Sequence, residues 1–345
     1  MQADKYLDYV IDTAKQLLSI DSPSGFSKAA IDFVMEEYKK LGFEPQLTAK
    51  GGIVVRLGGP EDSEGLLLSG HVDTLGGIVS EIKDNGNLRI SPIGGLNPNN
   101  AEAENCRIVT RFDGTYEGTL QLDNASTHVN GEYNDIMREF SKMEVVLDED
   151  VSSAGDTKAL GVAVGDYVCF EPRTTLTASG YIKSRFLDDK LGVSILLGYA
   201  KYVSEEKVEL PRAVYHYITN YEEVGHGCAS SIPASVKDVI SVDMGCVGEK
   251  LNCTEHQVSI CVKDSKGPYN YDIITDLVNA AKDCNVDYAL DVYPKYGSDA
   301  DVALTSGHDV RHGLIGPGVY ASHGYERSHK DGVRNTLALL IAYLG

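Results

Sequence analysis

The chain has 345 residues, 42% of them hydrophobic, and a formal net charge of −20 from 51 acidic against 31 basic side chains. That length suits two domains, or one domain with a large insertion, and the apolar share is ample for a buried core. The charge argues against nucleic acid or an anionic membrane as a partner, because a phosphate surface needs basic side chains opposite it. No apolar run approaches the roughly 18 residues of a membrane span. The start, Met1-Gln2-Ala3-Asp4-Lys5-Tyr6, is polar and lacks the apolar segment of a signal peptide. The seven cysteines are odd in number, include no Cys-x-x-Cys pair and sit mostly inside apolar runs. They read as reduced core residues of a cytoplasmic protein.

In chain order, apolar positions at helical spacing (Tyr6, Val10, Ile11, Ala14, Leu17, Leu18) predict a helix over 4–19. The turn Asp21-Ser22-Pro23-Ser24-Gly25 leads into a second amphipathic helix over about 26–41, closed by Gly42. Strands are expected near 44–48, 53–57 and 66–70. From about 76 to 180 the texture changes to short alternating runs (Leu88-Arg89-Ile90, Arg107-Ile108-Val109, Glu144-Val145-Val146-Leu147) between Gly, Asn, Asp and Pro clusters. One short helix fits near 133–141, and the rest predicts a small antiparallel β domain. Strand and helix then alternate again: helix 189–204, strands 212–219 and 238–243, helices 270–284 and 330–343. The α/β domain is therefore split, 1–75 with 181–345, by a β-rich insertion over 76–180.

An ordered set of histidines and carboxylates falls where apolar runs end: His71-Val72-Asp73, Asp188-Asp189, Glu222-Glu223, Asp243 and His323. Short β-branched runs ending in a carboxylate or imidazole are the pattern of buried parallel strands with ligands at their carboxyl ends. Two histidines and three acidic residues suit two divalent ions that share one bridging carboxylate. Within His71-Val72-Asp73, one imidazole nitrogen can bind metal while a carboxylate fixes the other N–H. Asp188 and Asp189 stand at a helix start, where either could be a cap and one could bridge two ions. In Glu222-Glu223, one carboxylate can bind metal while its neighbour acts as general base. His329 rivals His323 for the last position. His308 and His312 are four apart, but the flanking glycines argue against a helical pair. His128, His216 and His256 fall in predicted strands as structural residues.

At these residues the chain resembles the glutamyl and deblocking aminopeptidases, the tetrahedral self-compartmentalising (TET) aminopeptidases. The resemblance rests on His71-Val72-Asp73, Ser184-Arg185-Phe186-Leu187-Asp188-Asp189-Lys190, Tyr221-Glu222-Glu223-Val224-Gly225 and Val242-Asp243-Met244-Gly245. Related metallopeptidases share the ligand order, but there the extra domain lies between the fourth and fifth ligands. Here His71 and Asp188 lie 117 positions apart, and Asp243 and His323 only 80, so the insertion falls early, as in the TET type. The segment Ser322-His323-Gly324 departs from the usual serine after the histidine, and Met244-Gly245-Cys246 departs too.

The resemblance implies a zinc-peptidase-like α/β/α catalytic domain with a mixed sheet, interrupted by a small PDZ-like barrel that serves dimerisation. It implies two divalent ions, zinc first and cobalt next. His71 would bind one ion, Asp188 both, Asp243 and Glu223 one each, and His323 the second. Glu222 would be general base to a metal-bridged hydroxide, Asp73 would orient His71, and the Asp188–Asp189 peptide would be cis. The expected function is a cytoplasmic metallo-aminopeptidase acting on short peptides, assembled as a homo-oligomer of dimers that build a tetrahedral dodecamer. The alternatives are a deacylase or carboxypeptidase acting on N-acyl amino acids, and a metal-independent glycosidase using a carboxylate pair.

Overall fold

The computed structural model describes residues 2–345, which divide into two compact units: the chain up to Asp73 together with Arg173–Gly345, and Thr74–Pro172. In the larger unit a twelve-stranded mixed sheet carries the core. Its central strand, Gly65–His71, is buried at every position, which is why its sequence is a continuous apolar run without alternation. It pairs in parallel with Val214–Thr219 on one side and Val236–Val242 on the other, and Val236–Val242 pairs in parallel with Arg311–Tyr320. Four neighbouring strands thus end at one edge of the sheet. Antiparallel strands Ile53–Gly58, Glu326–His329 and Tyr181–Ser184 extend it outward.

Helix Leu187–Glu206 packs on Gly65–His71 and against helices Ala3–Leu18 and Lys330–Leu344. Covered on several sides, it is buried along most of its length and has no polar stripe. Helices Lys28–Lys40, Tyr271–Asp283 and Asp299–Thr305 complete the unit. No described helix is long and apolar enough to cross a membrane. Among the described residues all seven cysteines are free, and five of them are buried.

The smaller unit is a closed barrel in the order Gly76–Ile82, Leu88–Ile93, Met143–Leu147, Thr115–Leu122, Asn105–Val109, Tyr167–Phe170, with antiparallel pairing throughout. Alternation puts Val79, Ile90, Ile108, Leu120, Val145 and Val168 inside. The unit ends at Pro172. Residues 173–180, which by texture read as part of the insertion, belong to the larger unit, where Thr175–Leu176 pairs with Tyr181–Ser184.

The helix expected at 133–141 is absent; turns and irregular chain lead up to a 3-10 turn at Phe140–Lys142. Arg138 explains this, since its guanidinium donates to the carbonyls of Tyr133 and Ile136 (2.9 and 2.8 Å) and to Glu102. Those carbonyls are therefore held by a side chain. The strand expected at 44–48 shrinks to Gln46–Leu47, and His128 and His256 lie in turns, while His216 is in a strand as expected.

Candidate metal centre

The parallel strands deliver their candidate ligands to one edge. His71 is the last residue of its strand, Asp243 follows Val242 directly, and Glu222 and Glu223 sit in a 3-10 turn three residues beyond Thr219. Asp188 lies at the start of Leu187–Glu206, where the backbone is not yet helical, and the Asp188–Asp189 peptide is cis. His323 comes from the loop between Arg311–Tyr320 and Glu326–His329.

These side chains converge in two groups that share Asp188: His71 with Asp188 and Asp243, and Asp188 with Glu223 and His323, the ligand atoms of each lying within 4.8 Å of one another. Asp188 Oδ1 is 3.1 Å from His71 Nε2, and its Oδ2 is 3.4 Å from His323 Nε2. Glu223 Oε2 lies 3.6 Å from His323 Nε2, and Asp243 Oδ2 lies 4.0 Å from His71 Nε2. Glu222 Oε2 stands 3.8 Å from His71 Nε2, outside both groups.

Hydrogen bonds fix the ligands. His71 Nδ1 faces the backbone carbonyl of Asp73 (2.9 Å), and this contact aims Nε2 at the cluster. The Asp73 carboxylate stands beside the same ring nitrogen, with Oδ1 3.5 Å away. That carboxylate accepts the N–H groups of Glu222 (3.1 Å) and Glu223 (3.3 Å) and the hydroxyl of Ser24, and so holds the glutamate turn. Asp189 accepts from Gly192 N and His71 N, which makes it the cap of the pair. Two supporting carboxylates escaped the sequence reading. Glu326 accepts from the N–H groups of Asp188 (3.1 Å) and His323 (2.9 Å), and Asp299 accepts from Thr219 Oγ1 and Cys228 N. Each takes at least one of its donors from far along the chain, Asp188 N for Glu326 and Cys228 N for Asp299, which the local sequence does not reveal.

The electrostatics are those of carboxylates crowded away from water. Burial, with the charges of Asp243, Asp299 and Glu223, pushes Glu222 well above the usual carboxylate range, and burial with Asp188 does the same to Glu223. Burial and the Asp188 charge lift Asp243 to about 7. Asp188 alone of the four goes down: burial opposes its charge, but hydrogen bonds from His323 and His71 outweigh it. Burial would lower the His323 imidazole, yet Asp188 and Glu223 raise it to about 10. So many buried acids cannot all ionise beside one another unless cations lie between them. A donor set of imidazole and carboxylate oxygen fits zinc-like divalent ions.

Asp188, Glu222, Glu223, Asp243 and His323 line a cavity of about 570 Å³, whose walls also include Met244, Cys246, Lys266, Lys295, Tyr296 and Ser298. His329 is excluded from the cluster: its Nε2 meets the carbonyl of Ser179 (2.8 Å) and its Nδ1 accepts from Asp331 N, capping the last helix. His312 faces Asp301 (3.6 Å) from within a strand, and it forms no helical pair with His308.

Residues 51–339 match the model of the M42 glutamyl aminopeptidases. The chain belongs to that family. It is 43% identical over 334 residues to YhfE of Bacillus subtilis (strain 168), a protein that carries the provisional name of an aminopeptidase, covering 97% of this chain and 96% of that one. It is 26% identical over 218 residues to the glutamyl aminopeptidase of Lactococcus lactis, covering 63% and 60% of the two chains. The fold matches the TET1 peptidase of Pyrococcus horikoshii with a TM-score of 0.86 at 20% identity, over 96% of this chain and 98% of that one; that protein is described as assembling into a tetrahedron or a large octahedral shell. This chain is accordingly a peptidase of the aminopeptidase type, and the family match favours neither the deacylase nor the glycosidase reading.

Proposed function

We propose that this M42 peptidase is a dinuclear metal-dependent aminopeptidase that removes N-terminal residues from short peptides. The observation that carries the reading is Asp188, whose two oxygens face two different histidines, each with its own further carboxylate. His71 and Asp243 hold one ion, Glu223 and His323 the other, and Asp188 bridges them. Two such ions supply an activated water and polarise the scissile carbonyl. Glu222, outside both ligand groups, takes a proton from the attacking water and returns it to the leaving amine, a role suited to a carboxylate of raised proton affinity. The acidic lining of the cavity attracts the terminal ammonium of a peptide, which directs cleavage to its first bond. Zinc is the expected ion and cobalt the nearest substitute.

The fold shared with the TET peptidases supports a homo-oligomer of dimers, up to a dodecamer, in which the barrel unit serves contact between subunits. The free, mostly buried cysteines support a cytoplasmic setting. The test has two arms. Metal analysis of reconstituted protein should give two ions per chain, and amino-acyl anilides, but not N-acyl amino acids, should be cleaved in a chelator-sensitive way. A single ion, or turnover that survives chelation, contradicts the reading.

A further inference from the structure

We infer that Glu326 is a positioning residue for the second ion, the one assigned above to Asp188, Glu223 and His323; the inference rests on that dinuclear reading. Glu326 opens strand Glu326–His329 directly opposite Ser184, on the strand that leads into the Asp188 turn. Its carboxylate is 2% exposed and spans two segments: one oxygen accepts from Asp188 N and the other from His323 N. Both oxygens are thus engaged by the main chain of metal-ligand residues, and Glu326 belongs to neither ligand group.

The His323 loop needs such an anchor. Ala321 and His323 both hold positive φ (59° and 61°), a region that side chains other than glycine's enter only when their surroundings enforce it. The bond from His323 N to Glu326 fixes that conformation and aims Nε2 at Asp188 Oδ2. The first ion's ligands have no such need, because His71 ends a strand and Asp243 follows one directly. Glu326 therefore acts through Asp188 and His323 on one ion more than on the other.

The test is metal binding. Wild type, Glu326→Gln and Glu326→Asp are stripped with chelator, and bound zinc per chain is followed against buffered free zinc, with cobalt absorption as a second readout. The glutamine offers one acceptor where the site uses two, and the aspartate is too short to span both N–H groups. In both variants the first ion should bind as in wild type. The second should need roughly 10–100-fold more free metal, and turnover should recover when that ion is supplied in excess. Equal weakening of both ions, or no weakening, overturns the inference, as does loss of fold by both variants in the metal-free form, which would make Glu326 structural. A wild type that never binds a second ion sinks the dinuclear reading itself. A wild type with two ions and an unaffected variant sinks only the role of Glu326.

Discussion

The two halves of the candidate metal centre are built differently. His71 and Asp243 stand at the ends of central, fully paired strands, with side chains 1% and 5% exposed, so the sheet itself sets their positions. His323 is 38% exposed and lies on a loop in a left-handed conformation, and Glu223 lies in a 3-10 turn held by Asp73. One half inherits its geometry from the core; the other is assembled by buried carboxylates that grip backbone N–H groups. On the proposed dinuclear reading, such a centre would join a rigid site to an adjustable one through a single shared residue, here Asp188.

The most severe perturbation spares both halves. Glu222→Gln preserves shape and removes proton transfer, so turnover should drop at least about a hundredfold while two ions remain bound. Metal lost with that substitution would move Glu222 into the ligand set. Histidine deletions should then separate the halves. His71→Ala removes a buried ring and leaves the Asp73 carbonyl without its donor, costing about 2–4 kcal/mol of stability; His323→Ala, half-exposed, should cost under about 1 kcal/mol. Urea unfolding of the metal-free variants measures both, and equal losses would erase the distinction.

Next in size is the pH response of chelated protein. Asp243 (about 7) and Glu326 (about 8) are raised above ordinary carboxylates, chiefly by burial and the Asp188 charge. A raised group contributes stability below its unfolded pKa and loses it as pH climbs through the folded value. The raised His323 (about 10) acts in the same sense, and the lowered Asp188 acts in the opposite sense only far below pH 6. The melting temperature without metal should therefore fall by several degrees between about pH 6 and 9, and saturating zinc should flatten the trend. A rise with pH would contradict it. The mildest probe is Ser24→Ala. Losing one hydrogen bond to Asp73 should cost about 1 kcal/mol and slow turnover a few-fold without changing metal content, which stoichiometry and rate measured together would show.

What could be read from sequence follows the same division. Leu66-Leu67-Leu68 before His71 and Val239-Ile240-Ser241-Val242 before Asp243 announce buried strands because parallel pairing demands continuous apolar residues. The Leu187–Glu206 helix and the barrel's alternating runs were legible for equally local reasons. The supporting carboxylates were not, since Glu326 and Asp299 show their purpose only once distant backbone N–H groups arrive. At 133–141, helical spacing lost to Arg138, whose target Glu102 lies 36 positions away. Strand Arg311–Tyr320 was missed because Gly313, Gly316, Pro317 and Gly318 look like a loop. They are there for space: a Cβ on Gly316 would stand 1.3 Å from the carbonyl oxygen of Asp243, and one on Gly318 would stand 2.1 Å from that of Thr254.

That crowding has a consequence for how the family's substitutions should be interpreted. Gly316 belongs to neither ligand group and does not line the cavity, yet any larger residue there must push the Asp243 main chain out of line. In a saturation library scored by growth or activity, this position should be as intolerant as a ligand, and alanine should fail as completely as tryptophan. A map of intolerant sites would then mark a point on the catalytic centre that no chemical probe can label.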